Sequence, residues 1–377
     1  MDEISLYEAM GGTAGCRKLA AAFYGRVDGD PVLRPFFPGK SHKCAIEAFS
    51  AYLTQLLGGP PEDAQRRWWL SLQESHLRFR ITPKDREAWM STMLRALDEV
   101  EMEQPARDAL RSLFERASGY LVNAGPSPVT EVTGHPAIQA RWSAQVILDE
   151  AVAAIRSGAS ERAIELTEGA ALQEYFAGNR LVWAALLARM IGSGDPALLA
   201  YLREKLAGEP SLVQQRYSGR TLLHAAAAAG DLTTVQAILK LGAAVDSADD
   251  GGHTPLYAVA NECETEGGPD VVRALVRAGA SVDACEGVKR CTALHMAARR
   301  DNVEIARALL DCGAAIEARD SLGETPLRRA VNCNQAAVAK LLVERGADLH
   351  ANGSRNLTPL KAARSARMKA ALQACAT

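Results

Sequence analysis

The sequence lacks a strong charge imbalance, a long apolar run and regularly spaced cysteine pairs. Its 43 lysine and arginine residues almost balance its 45 aspartate and glutamate residues, which leaves a formal net charge of −2. A basic surface that would attract phosphate groups is therefore not expected. Neither nucleic acid nor a membrane surface is a predicted partner.

Other absences bear on the compartment. The N-terminal MDEISLYEAM has no basic stretch followed by an apolar run, so we expect no secretory signal. The longest strongly apolar stretch, LVWAALLA at 181–188, is too short to cross a bilayer. The eight cysteines have no C-x-x-C spacing, which favours reduced thiols over a metal cluster or a disulfide framework. We therefore expect a soluble, cytoplasmic protein.

A repeat fills the second half of the chain. The segments TLLH, TPLY, TALH, TPLR and TPLK begin at residues 221, 254, 292, 325 and 358, at offsets of 33, 38, 33 and 33 residues. Extra residues in NECETEGGPD account for the longer offset. An alanine-rich stretch follows each segment, and in four of them a second apolar run such as VVRALVRAGA follows in turn. This period and content resemble the ankyrin repeat, which implies an α-solenoid of stacked helix pairs that binds a protein partner.

Local chemistry agrees with a helix pair in each repeat. Thr254, Thr325 and Thr358 stand where an N-cap hydroxyl is favoured, and a proline follows each of them. Within the ankyrin resemblance, His224 and His295 are expected to join adjacent loops by hydrogen bonds rather than to bind metal. The second apolar run ends in a glycine where a left-handed residue is favoured, at Gly242, Gly279, Gly313 and Gly346.

Changes in composition along the sequence also predict domain boundaries. Prolines, glycines and small polar residues interrupt the helical pattern around 126–136, which we interpret as a linker. Residues 1–125 then form one domain. Residues 137–217 are helical without the TPLH signature, and we interpret them as degenerate ankyrin-like repeats that dock on the first domain. The clear repeats occupy 218–377.

Before the linker, apolar residues recur at helical spacing in four segments, which predicts an all-α domain. The four series are Leu19, Phe23 and Val27; Phe49, Leu53 and Leu57; Trp89, Met93 and Leu97; and Leu110, Phe114 and Ala117. Thr82 and Pro83 are typical of a cap and first turn, and they precede the third series.

Four motifs in this region occur in a recognisable order. They are YEAMGG at 7–12, FYGRVDGDPVLRPFFP at 23–38, LLGGP at 56–60 and ESHLRFRITPKDREAWM at 74–90. In order and spacing they resemble the truncated haemoglobins, and the aligned tryptophan resembles the second subgroup. The resemblance covers essentially all of residues 1–125. It implies a two-over-two helical sandwich in which glycine pairs permit the short loops.

Carried over residue by residue, the resemblance implies a site for haem b. His76 falls on the position of the proximal iron ligand, an imidazole on a helix beneath an apolar cavity. Tyr24 falls on a distal tyrosine and Trp89 on a distal tryptophan. Their hydroxyl and indole N–H groups are donors for a gas held at the iron.

Further positions follow from the same resemblance. Phe37 falls where a ring stacks on the porphyrin face, and Ala45 and Phe49 fall on the distal helix. Ala45 is small where many globins place a polar gate, so ligand entry is expected to be less obstructed. Arg78 and Arg80 flank the ligand helix and are either partners of the haem propionates or simply solvated.

The sequence leaves the roles of one histidine and two tryptophans open. His42, shortly before the distal helix, is a weaker candidate for a sixth iron ligand. Trp68 and Trp69 fit helix packing as well as they fit haem contact.

The resemblance implies binding of O2, with NO and CO as further candidate ligands, next to an ankyrin platform for an unidentified protein. The simplest function that joins the two halves is a gas or redox sensor. The alternative is a haem enzyme for NO dioxygenation or peroxide chemistry. Because the sequence contains no flavin or nicotinamide fingerprint, such an enzyme would need an external reductant. A scaffold whose globin has lost haem is the third possibility.

Overall fold

A computed structural model describes residues 5–39, 41–60, 70–126, 135–353 and 357–373. The chain is divided into two compact units, Met1–Leu186 and Leu187–Thr377. Helices dominate the described residues of both. The sheet found among those residues is a hairpin of two antiparallel strands, β1 (Arg216–Tyr217) and β2 (Arg220–Thr221). The all-α fold class predicted from the sequence is therefore confirmed.

The first unit begins with the helices that the apolar spacing predicts. Up to residue 126 the described helices are α1 (Leu6–Ala9), α2 (Gly12–Val27), α3 (Lys43–Leu57), α4 (Leu72–His76), α5 (Pro83–Glu99) and α6 (Gln104–Tyr120), with a 3-10 turn at Arg34–Phe36. Helices α2, α3, α5 and α6 contain the four apolar series, so the prediction of these helices is confirmed.

Side-chain caps fix where α4 and α5 begin. The Asp85 carboxylate accepts from the Thr82 amide at 2.8 Å, and the Thr82 hydroxyl accepts from the Asp85 amide at 3.4 Å. Pro83 stands in the first turn of α5, as predicted. The Ser71 hydroxyl accepts from the Glu74 amide at 3.0 Å and so caps α4. These bonds satisfy amides that have no partner inside a helix.

The first unit also contains residues beyond the predicted globin segment. Its further helices are α7 (Pro136–Ser157), α8 (Ser160–Glu168), α9 (Ala170–Gly178) and part of α10 (Arg180–Ser193). Ile138 and Trp142 of α7 belong to the same apolar core as Phe23, Leu53 and Phe114 of the globin helices. Burial of these side chains is the main force that holds α7 against the globin helices.

Helix pairs form the second unit. After α10 they are α11 (Pro196–Gly208), α12 (Leu222–Ala229), α13 (Leu232–Lys240), α14 (Pro255–Glu262), α15 (Gly268–Arg277), α16 (Ala293–Arg300), α17 (Val303–Asp311), α18 (Pro326–Asn332), α19 (Ala336–Glu344), α20 (Pro359–Ala362) and α21 (Ala366–Gln373). A 3-10 turn covers Pro210–Gln214. Within the described ranges of the chain, no helix is long and apolar enough to cross a membrane.

The caps predicted for the repeats are confirmed. The hydroxyls of Thr254, Thr325 and Thr358 each accept from the amide three residues later, and a proline opens each helix. The glycines that end the second helices have left-handed φ angles of 85°, 100°, 88° and 92°, at Gly242, Gly279, Gly313 and Gly346. An L side chain rarely adopts this conformation, so glycine is favoured there.

The two repeat histidines join adjacent loops, as predicted. Nδ1 of His224 accepts from the Thr221 hydroxyl at 2.8 Å, and its Nε2–H donates to the His253 carbonyl at 2.9 Å. His295 bonds the Thr292 hydroxyl and the Glu324 carbonyl in the same way. Burial lowers the pKa of both imidazoles, so the neutral form is favoured.

A carboxylate replaces histidine in the TPLY repeat, where Tyr257 occupies the histidine position. Glu286 accepts from the Thr254 amide at 2.7 Å and from the Thr254 hydroxyl at 2.6 Å. Burial raises the pKa of the Glu286 carboxyl to about 7, the bonds from Thr254 lower it, and the charges of Asp246 and Asp249 raise it.

We therefore expect Glu286 to make the stability of the repeats depend on pH. Because its folded-state pKa is raised from 4.5 to about 7, the folded protein binds this proton more tightly than the unfolded chain does. The contribution to the free energy of unfolding is then present at low pH and falls as pH rises from about 4.5 to about 7. We expect a loss on the order of 2 kcal/mol over this range.

Urea unfolding monitored by circular dichroism across this pH range measures the effect. His224 and His295 oppose it, since their lowered pKa values make stability fall with falling pH. The difference between the wild type and Glu286→Gln isolates Glu286, and Glu264→Gln removes an exposed carboxylate as the control. A pH-independent difference between the wild type and Glu286→Gln would contradict the prediction.

Candidate haem-binding site

His76 is the last residue of α4, and its ring is held by its own helix. Nδ1 lies 2.8 Å from the Leu72 carbonyl oxygen and 2.8 Å from the Ser75 hydroxyl oxygen. The Ser75 hydroxyl donates to the same carbonyl at 2.7 Å. Since a carbonyl only accepts, we assign the proton to Nδ1, which leaves the lone pair on Nε2.

This arrangement suits a metal ligand. Among the described residues, Nε2 of His76 has no hydrogen-bond partner. Burial lowers the pKa of His76, although the Leu72 carbonyl acts in the opposite direction, so the neutral imidazole is favoured. An imidazole that ligates a metal characteristically donates its other N–H to a carbonyl or carboxylate, which fixes the tautomer and the ring orientation.

Three of the predicted pocket residues form a cluster of aromatic rings. The Tyr24 ring lies edge-on to the Phe37 ring at 5.3 Å between centroids and to the Phe49 ring at 6.4 Å. Tyr24 comes from α2, Phe49 from α3, and Phe37 from the segment just after the 3-10 turn. Ala45, one turn before Phe49, is half-buried against the same core.

Trp89 joins this cluster through two neighbours. Its ring lies 5.4 Å from Phe23 and 5.7 Å from Phe114, and both of those rings lie 6.2 Å from Phe49. His76 does not touch these rings. Its ring lies 6.4 Å from Phe79, which comes from the loop after α4.

Polar atoms in the cluster fit a polar ligand. Tyr24 is buried, and neither its hydroxyl nor the indole N–H of Trp89 has a hydrogen-bond partner among the residues described. Burial raises the pKa of Tyr24, so the hydroxyl stays protonated and can donate. A polar atom of a bound ligand can accept a hydrogen bond from either donor.

The remaining predicted residues lie at the surface. Arg78 and Arg80 are exposed, and in the described part of the chain neither forms an ion pair. The Arg78 guanidinium lies 4.6 Å from the centre of the Phe79 ring. Trp68 and Trp69 lie outside the described residues.

His42 lies beside Tyr24 and Asp28. Its ring stacks on the Tyr24 ring at 5.7 Å, and its Nε2 lies 2.9 Å from the Asp28 carboxylate. That hydrogen bond lowers the pKa of the Asp28 carboxyl. One of the two ring nitrogens of His42 is therefore already bonded to Asp28, which disfavours His42 as an iron ligand.

Sequence reasoning missed the contacts between α7 and α4. Asp149 of α7 is buried, and its carboxylate accepts from the Leu72 amide at 2.9 Å and the Gln73 amide at 3.2 Å. A signal was available, because Asp149 and Gln145 fall at helical spacing on the apolar side of α7 that carries Ile138 and Trp142. An acidic residue on such a face needs donors from a neighbouring element.

Comparisons with known proteins agree with both the globin and the ankyrin resemblance. The bacterial-like globin family matches residues 5–123, and the family described as ankyrin repeats (3 copies) matches residues 183–284 and 260–353. Group 2 truncated hemoglobin YjbI of Bacillus subtilis (strain 168) is 36% identical over 117 residues, which cover 31% of this chain and 87% of that protein.

Two further relatives match different halves of the chain. Two-on-two hemoglobin-3 of Arabidopsis thaliana is 28% identical over 125 residues, 32% of this chain and 71% of that protein. Ankyrin repeat and SOCS box protein 16 of Homo sapiens is 30% identical over 163 residues, 40% of this chain and 35% of that protein. The chain therefore belongs to the bacterial-like globins of the group 2 truncated haemoglobin type, and ankyrin repeats make up its C-terminal part.

Proposed function

We propose that the globin binds haem b through His76 and holds O2, or another diatomic gas, at the iron. The observation that carries the proposal is the His76 ring, whose Nδ1–H is bonded to the Leu72 carbonyl and whose Nε2 has no partner among the described residues. Haem, when bound, supplies the iron that coordinates the gas. Family membership of residues 5–123 supports this cofactor.

Different residues of the chain then bind the gas, exclude water and bind the porphyrin edge. Tyr24 and Trp89 donate hydrogen bonds to the gas, and Phe37 and Phe49 exclude water with their rings. Arg78 and Arg80 present exposed guanidinium groups, which can pair with the carboxylates of a porphyrin edge. These roles make use of donors that the described protein groups leave unsatisfied.

We further propose that the ankyrin repeats bind a protein, and that the two halves together act as a gas or redox sensor. Ankyrin repeats present extended surfaces suited to protein recognition. The seven cysteines in the described part of the chain are free thiols, which supports a reducing compartment, the cytoplasm. A sensor requires that the state of the iron change the free energy of the second unit.

Two measurements on the full chain test the proposal. Purified protein titrated with haemin is expected to give a Soret band, and the reduced form is expected to bind O2 reversibly. Without a Soret band, haem binding is refuted. Hydrogen–deuterium exchange of the repeat amides, compared between the deoxy and O2-bound forms, tests the sensor. Identical exchange throughout the repeats would refute sensing and leave haem binding intact.

A further inference from the structure

Asp149 is a buried carboxylate with four hydrogen-bond donors. Oδ1 accepts from the Leu72 amide at 2.9 Å and from Nε2 of Gln145 at 2.9 Å. Oδ2 accepts from the Gln73 amide at 3.2 Å and from the Tyr120 hydroxyl at 3.1 Å. Burial raises the pKa of the Asp149 carboxyl, and the bonds from Gln145, Gln73 and Tyr120 act in the opposite direction because they favour the ionised form.

Two of these bonds connect Asp149 directly to the element that carries His76. Leu72 and Gln73 are the first two residues of α4, a helix of only five residues. The N–H of Leu72 donates to Asp149, and the C=O of Leu72 accepts from Nδ1 of His76. A continuous hydrogen-bonded path therefore runs from the α7 carboxylate through one residue to the imidazole.

The same helix also bonds α3. The Arg141 guanidinium donates to the Leu56 carbonyl at 3.2 Å, at the last turn of α3. A cation at the C-terminal end of one helix and an anion at the N-terminal end of another both complement the helix dipoles. Helix α7 is thus bonded to α4, which carries His76, and to α3, which carries Phe49.

We propose that Asp149 is a positioning residue for His76, and that it makes α7 the element through which the state of the iron is passed on. The inference rests on the proposed haem binding. A short helix is poorly determined by its own hydrogen bonds, so the Asp149 bonds to its first two amides, together with the Ser71 cap, set where α4 begins and how the His76 ring is aimed. If His76 moves when a gas binds, its bond to the Leu72 carbonyl and the bond from the Leu72 amide to Asp149 transmit that movement to α7.

The test replaces Asp149 by asparagine in the full chain. In one orientation the asparagine amide keeps an acceptor for Leu72, but it places an N–H where Gln73 donates and removes the charge. Loss of a group that orients a metal ligand typically lowers metal affinity about 10- to 100-fold, so haem transfer to an excess of scavenging apoprotein should be at least about 10-fold faster. The iron–histidine stretching band of the reduced protein should also shift.

The matched control is Glu150→Gln, which removes the next carboxylate on α7, an exposed one. Its haem transfer rate and iron–histidine band should match those of the wild type. If Asp149→Asn matches the wild type as well, the positioning role is refuted. Should that variant not fold, Tyr120→Phe removes one of the four donors, and an unshifted band there would also refute the role.

Hydrogen–deuterium exchange of α7 tests the second part of the proposal. The wild type should exchange α7 amides at different rates in the deoxy and O2-bound forms, and Asp149→Asn should lose most of that difference. Equal rates in the two wild-type forms would refute transmission through α7. A wild type without a Soret band would instead refute haem binding itself, so the two failures are distinguishable.

Discussion

Replacing His76 by alanine is expected to abolish the iron–histidine stretching band of the reduced protein and most haem retention. The variant removes the imidazole whose Nδ1–H is bonded to the Leu72 carbonyl and whose Nε2 has no hydrogen-bond partner among the described residues. The apolar and aromatic contacts around the porphyrin would remain, but no protein atom would hold the iron. Absorption and resonance Raman spectra of protein reconstituted with haemin measure the loss.

His42→Ala is the control, because His42 is the other histidine in this part of the molecule and its Nε2 is bonded to Asp28 at 2.9 Å. It should keep the Soret band and the iron–histidine stretch. External imidazole added to His76→Ala should restore part of the spectrum by occupying the vacated position. The assignment of the ligand would be wrong if His42→Ala lost the spectrum and His76→Ala kept it.

Local patterns predicted the helices, because helix formation is decided mainly by the spacing of apolar residues and by groups a few positions apart. The capping pair of Thr82 and Asp85 spans three residues, and the repeat caps at Thr254 and Thr325 are equally local. Such signals are present in any short window of sequence. His76 required more than a window, since only its place among ordered motifs distinguished it from a solvated histidine.

Contacts between distant segments could not be predicted in the same way. Asp149 and Leu72 are 77 residues apart, and the replacement of a repeat histidine by Glu286 joins groups 32 residues apart. The sequence shows that the repeat at Thr254 has Tyr257 where two other repeats have histidine, so the imidazole acceptor is missing there. It does not show which of many carboxylates replaces that acceptor. The packing of α7 determines that Asp149 meets Leu72, and the packing of the repeat loops determines that Glu286 meets Thr254.

The extent of the first unit has the same explanation. The predicted globin domain ends at residue 125, whereas the compact unit reaches Leu186. The rings of Trp142 on α7 and Tyr120 on α6 lie edge-on with 5.4 Å between centroids, and this contact is determined by core packing rather than by composition. This packing bears on the proposed haem site, because the helix that follows the family match accepts hydrogen bonds from the first two amides of the helix that carries His76.

Replacing Tyr24 by phenylalanine is expected to raise the O2 dissociation rate about 5- to 150-fold, since a hydrogen bond to a polarised acceptor contributes about 1–3 kcal/mol. Tyr24 is a buried residue whose hydroxyl stays protonated, and no described residue is hydrogen-bonded to that hydroxyl, so a gas in the pocket can accept its hydrogen bond. Phenylalanine keeps the ring contacts with Phe37 and Phe49. Stopped-flow displacement of O2 by CO measures the rate.

Tyr7→Phe is the matched control, because its hydroxyl is already bonded to the Thr13 amide at 3.0 Å and to the Thr13 hydroxyl at 2.6 Å. It should leave the dissociation rate within about twofold of the wild type. Adding Trp89→Phe to Tyr24→Phe should accelerate O2 loss further if both groups donate to the same gas. A Tyr24→Phe rate equal to that of Tyr7→Phe would show that the hydroxyl does not reach the ligand.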